Sequence, residues 1–171
     1  MTTSRPEQLR VRRAPSSWLL WLGLAVVVVA LAGWYATHPN PLPTEDTPVL
    51  AQTPVGEPVY VGVLMPDAES DRTLHIRGID VDPEGELPVS VVGLVCQGGA
   101  VAVTSDPETF CSDLVDAEGA SVSPGDVLVL RIVGELAGEV ELGRVQVSYR
   151  EGLQWGTDDA GPPVTASFLS R

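Results

Sequence analysis

No lysine occurs anywhere in the 171 residues, and there are only two cysteines, two histidines and nine aromatic side chains. Each shortage closes a route to chemistry. Without lysine no Walker-type phosphate loop can form, and no Gly-x-Gly-x-x-Gly run offers another phosphate cradle. His38 and His75 are too few for a zinc cluster once the cysteines are paired. A Ser-His-Asp set could draw only on His75, and no Gly-x-Ser-x-Gly elbow presents a serine to it. Cys96 and Cys111 lack the C-x-x-C spacing that holds two thiols together and depresses one pKa. The residues therefore point away from an enzyme, and they call for no cofactor.

Charge is missing from one place in particular. The run from Trp18 to Tyr35 contains five leucines, four valines and no charged residue. As a helix rising ~1.5 Å per residue it reaches roughly 27 Å, close to the thickness of a hydrocarbon core. Its nine aliphatics contribute about −3 to −5 kcal/mol to insertion on a biological scale. Trp18 and Trp21 stand at one end, Trp34 and Tyr35 at the other, where amphipathic rings settle among headgroups. The expectation is one transmembrane helix over Trp18–Ala36, preceded by a basic tail at 1–17, with the lipid bilayer as its first partner.

Orientation follows from arginine. Arg5, Arg10, Arg12 and Arg13 precede the span, and no Lys or Arg follows it until Arg72. By the positive-inside rule the N-terminus is cytoplasmic and the rest lies outside, in the plasma membrane. The alternative is a signal peptide cleaved after Ala32, since Ala30-Leu31-Ala32 fits the small-x-small pattern. The aromatic pairs at both ends favour the anchor. Arginine in place of lysine throughout, with abundant Ala, Val, Gly and Pro, fits the codon supply of a GC-rich bacterial genome.

Residues 1–13 carry a net charge of +3 and residues 36–171 a net −16, which together give the −13 of the chain. So acidic an outer part repels nucleic acid, and no nucleic-acid partner is expected.

Six prolines fall between His38 and Pro58. Fixed φ and missing donors make 37–58 read as an extended stalk in polyproline II geometry. Beyond it, over 59–171, apolar residues recur with period two between Gly, Pro and Asp turn signals. Strands are expected at Val59–Met65, Thr73–Val81, Val89–Cys96, Ala100–Thr104, Val127–Val133, Val140–Tyr149 and Val164–Leu169, with a less regular segment at Phe110–Val115. Ser123-Pro124-Gly125-Asp126 carries a type II turn signal. A phase change at Gly143 points to a bulge. The Val127 and Val140 runs read as a hairpin through Gly134–Glu139. The fold class expected is all-β: a single extracytoplasmic antiparallel β-sandwich, immunoglobulin-like, preceded by one transmembrane helix.

Three candidate sites stand out. Cys96 and Cys111 lie in the part placed outside the cytoplasm, where a disulfide persists; closing their loop is worth about 3 kcal/mol. Asp80, Asp82, Glu84 and Glu86 bunch their carboxylates around Gly85 like the start of a calcium loop, although the twelfth position is Val91 and helices do not flank it. Tyr149, Arg150 and Trp155 bring together residue types favoured at binding hot spots, the alternative being that Trp155 covers an open end of the sandwich. The expected function is a membrane-anchored accessory or scaffolding module that binds a membrane or envelope protein. The alternative is an extracytoplasmic ligand or calcium sensor.

Overall fold

The computed structural model describes residues 17–67 and 70–170. The arginine-bearing tail lies outside the described residues, as do the side chains of Ser17 and Leu19. The chain divides into two compact units, Met1–Tyr35 and Ala36–Arg171.

The first unit is described by helix α1, Ser17–Ala36, which has no acidic residue in its first turn and no basic residue in its last. Its described side chains are exposed up to Tyr35. Among the described residues no helix is long and apolar enough to cross a membrane.

The second unit is all-β. Thirteen strands follow in order: β1 Val49–Pro54, β2 Val59–Leu64, β3 Leu74–Asp80, β4 Pro83–Glu84, β5 Val89–Gln97, β6 Val103–Thr104, β7 Asp113–Asp116, β8 Ser121–Val122, β9 Val127–Gly134, β10 Gly138–Leu142, β11 Val145–Glu151, β12 Gln154–Ala160 and β13 Val164–Leu169. They form three sheets ordered β1-β13-β10-β4, β12-β11-β3-β8 and β6-β2-β9-β5-β7. Side chains from all three enter one core, with Val61, Val95, Leu130, Ile132, Leu142, Val147 and Ala166 fully buried.

Alternation decides which face each strand buries. In β11 Val145, Val147 and Tyr149 point inward while Gln146 and Arg150 stay exposed. The phase change at Gly143 is where β10 ends and the chain passes into another sheet as β11. Strand β9 breaks the alternation, since Val127, Leu128, Val129 and Leu130 are all buried. It is covered on both faces: Leu128 and Leu130 meet the main core, while Val127 and Val129 join Cys96 and Val101 in a second cluster. A strand buried on both sides reads as a continuous apolar run.

Three expectations are corrected. The Val127 and Val140 runs do not pair as a hairpin, because β2 and β5 occupy both edges of β9. Strand β10 pairs instead with β13 and β4. The segment 37–58 is not a free stalk. Strand β1 lies within it, paired in parallel with β13 from Val49↔Val164 to Pro54↔Leu169. Ahead of it Leu42 is buried, and Thr44 bridges Gly161. Prolines 41, 43 and 48 leave enough free donors for this: Val49 N–H donates to the Pro163 carbonyl and Glu45 N–H to that of Gly161. Finally, the stretch around Trp155 is a regular strand, β12, paired along its whole length with β11. The type II turn forms as expected: Gly125 takes φ 93° and Asp126 N–H donates to the Ser123 carbonyl.

Candidate functional site

Cys96 and Cys111 are joined as a disulfide with Cα atoms 5.2 Å apart. Cys96 ends a ladder between β5 and β9, and Cys111 follows the short helical turn Pro107–Thr109. The bond clamps the 98–112 excursion over the outer side of β9, where Val101 is buried. Gly62 of β2 makes that approach feasible, for a Cβ there would stand 1.9 Å from the Val101 carbonyl oxygen. The disulfide is structural, and it uses both thiols of the chain.

The acidic quartet does not assemble. Asp80, Asp82, Glu84 and Glu86 are all exposed, and Glu84 sits opposite Glu141 in the β4–β10 ladder. Among the described residues no three His, Cys, Asp or Glu side chains come together as a ligand set. Asp80 ends β3, Glu84 belongs to the two-residue β4, and Asp82 and Glu86 lie outside strands, so the four never share one strand face and spacing in sequence did not become proximity in space.

The trio of Tyr149, Arg150 and Trp155 separates into two roles. Tyr149 is buried, and its hydroxyl shares its one proton between Asp158 Oδ2 at 2.8 Å and the Asn40 carbonyl at 3.1 Å. Burial first, and Asp158 second, push its phenol well above the usual tyrosine range. Tyr149 therefore belongs to the core, contrary to expectation. Beside it, the Arg72 guanidinium grips both oxygens of Glu151 at 2.9 and 2.8 Å and also donates to the Asn40 and Pro41 carbonyls. Gln154 Nε2 donates to the His38 carbonyl. Residues 38–41 are thus fastened to the edge formed by β11 and β12 as soon as they leave the helix.

Arg150 and Trp155 face each other across the β11–β12 ladder, and both are exposed, Trp155 at 61%. Trp155 covers no end of the fold. The register between β11 and β3 slips at Ser148/Tyr149, leaving Arg77 as the extra residue of a bulge. Arg77, Ser148, Trp155, Thr157 and Thr37 line one shallow groove. Gly152, with φ 57°, occupies the first central position of the two-residue turn between Glu151 and Gln154, as a II′ hairpin requires. Leu153 takes the second and is 84% exposed. Leu153 and Arg77 were missed from sequence; the legible signal was an apolar residue in a tight turn where polar ones are usual.

On the same sheet, Ser121 Oγ lies 2.7 Å from His75 Nδ1. Among the described residues no carboxylate hydrogen-bonds that imidazole, so the pair lacks the acid that would orient it as a base.

At the opposite end of the strands, the Val55 and Gly56 amides donate to the Leu169 and Gly134 carbonyls. The β9–β10 turn there holds Leu136 at 57% exposure beside Leu169 at 53%. Val55, Gly56, Glu135, Leu136, Ala137 and Ser170 line an open groove.

No protein-family model matches the chain, and no curated protein matches it.

Proposed function

We propose that the chain is a single-pass membrane protein with its N-terminus in the cytoplasm. Its β domain, an immunoglobulin-like sandwich, stands outside and serves as an accessory or scaffolding subunit for another membrane or envelope protein. The anchor is supported by the sequence of Trp18–Tyr35, a charge-free run with aromatics near both ends and four arginines ahead of it. An outer location is supported by the disulfide, which an oxidising compartment preserves.

The immunoglobulin-like reading is supported by strand order. Neighbours β5-β9-β2 follow the D-E-B order of one immunoglobulin sheet, and β3-β11-β12 follow the C-F-G order of the other. β10 and β13 then continue the F and G strands beyond short breaks, and β1 pairs with β13.

The observation that carries the partner reading is the end of the domain remote from residues 38–41. There Leu136 and Leu169 leave apolar surface at a groove lined by Val55, Gly56, Glu135 and Ala137. Exposed apolar patches of this kind mark contact sites. In-cell photo-crosslinking from position 136, with position 50 of β1 as control, tests this on the full chain. One membrane or envelope protein captured from 136 and not from 50 is expected. Equal capture from both positions rejects the partner site. A C-terminal alkaline phosphatase fusion that stays inactive rejects the topology.

A further inference from the structure

Resting on the anchor reading above, we infer that the β11–β12 hairpin and the Arg77–Arg150 face lie on the bilayer that α1 crosses, and bind its phospholipid headgroups. Chain length argues for this first. Helix α1 ends at Ala36, and the main chain of His38 is already held by Gln154 of β12. Two residues reach about 7 Å even when fully extended, whatever angle the helix takes to the domain. A domain so tethered cannot stand clear of the membrane, and the hairpin that holds the tether is the part brought to the surface.

The chemistry of that hairpin suits an interface. Its tip offers Leu153, and the next residue but one is Trp155. Tryptophan settles at headgroup depth, and leucine gains by entering the acyl boundary. Arg150 stands opposite Trp155, and Arg77 lines the same groove; among the described residues neither is in an ion pair. Guanidinium groups free of carboxylates bind phosphates through paired N–H donors.

The domain is acidic as a whole, yet on the β11–β12 hairpin itself the acids at this end are occupied. Glu151 is neutralised by Arg72, and Asp158 turns inward to the Tyr149 hydroxyl. Asp80 and Asp159 lie toward the other end of the sheet, where they pair with or adjoin Gln146. The face presented to lipid is therefore cationic and apolar while the remainder repels an anionic surface, and this fixes which side faces down.

Two single-tryptophan forms of the full chain test the inference in vesicles of phosphatidylcholine and phosphatidylglycerol, with and without bromines near the top of the acyl chains. One form keeps Trp155, with Trp18, Trp21 and Trp34 changed to Phe. The other keeps Trp34. Both are expected to lose about half their emission to the brominated lipid, as residues at headgroup depth do. Adding Arg77→Glu and Arg150→Glu should restore the Trp155 signal and leave Trp34 quenched. Quenching of Trp34 without Trp155 overturns the inference and leaves the anchor standing. Quenching of neither removes the anchor, and the inference with it. Quenching of Trp155 that survives both reversals overturns headgroup recognition by the arginines.

Discussion

Tyr149 shows how a side chain with the profile of a binding residue becomes a fastener. Its ring fills the core while its hydroxyl reaches out to hold Asn40 and Asp158. In β11 the odd positions place it on the inward face with Val145 and Val147. The two acceptors were not legible, since Asn40 lies 109 residues away and a single chain carries no record of that pairing. Tyr149→Phe should cost about 1 kcal/mol by removing the hydroxyl's bond to Asp158, while the Asn40 carbonyl keeps its bond from Arg72, read as a lower urea midpoint. The same residue sets an alkaline limit. Its folded-state pKa is raised, so its contribution is complete below the unfolded value near pH ~10 and is lost as pH rises through the folded one. The stability curve of the native protein should therefore bend downward above about pH 10, and that of Tyr149→Phe should bend less.

At the level of elements, strands that bury one face were read well. Val164–Leu169 is found at its expected bounds, and β2, β3 and β5 within about one residue at each end. What failed was pairing. The β9 and β10 runs are close in sequence, which favours a hairpin, but β9 has no vacant edge. Edges are filled by β2 and β5 from a distance, and period-two patterning says nothing about which strands meet. The double burial of β9 depends on the disulfide-held excursion above it. Changing Cys96 and Cys111 together to Ser should lower stability by about 3 kcal/mol. Hydrogen exchange should quicken across 98–112 ahead of the rest of the domain, whereas uniform quickening would show that the excursion is held by its packing alone.

For the molecule as a whole, composition conveyed the division into helix and acidic β domain but misplaced the boundary between them. Proline content suggested that 37–58 stands apart, because fixed φ and absent donors weaken central strands. An edge strand needs donors on one side only, and β1 is an edge strand whose Ala51 and Thr53 are buried. The folded unit accordingly begins near residue 37. A fragment covering 59–171 should be at least about 3 kcal/mol less stable than one covering 37–171, since it loses Leu42, Ala51 and a row of backbone bonds. Coincident denaturation curves would restore the stalk. The acidic loop and the aromatic segment illustrate the same limit for sites: residue types were readable, and their directions in space were not.

The parallel union of β1 with β13 also determines how the molecule answers force. Both strands point away from the end where the chain leaves α1, with β1 reached from its N-terminal end and β13 running on to the C-terminus. Tension applied between residue 38 and the C-terminus would drag the two strands past each other lengthwise. Six residue pairs then resist together, where a strand peeled from its end would release them one after another. The fasteners at His38, Asn40, Pro41 and Thr44 must yield before that row is strained at all. A β domain built this way is a tie-rod, stiffest along the shared direction of β1 and β13.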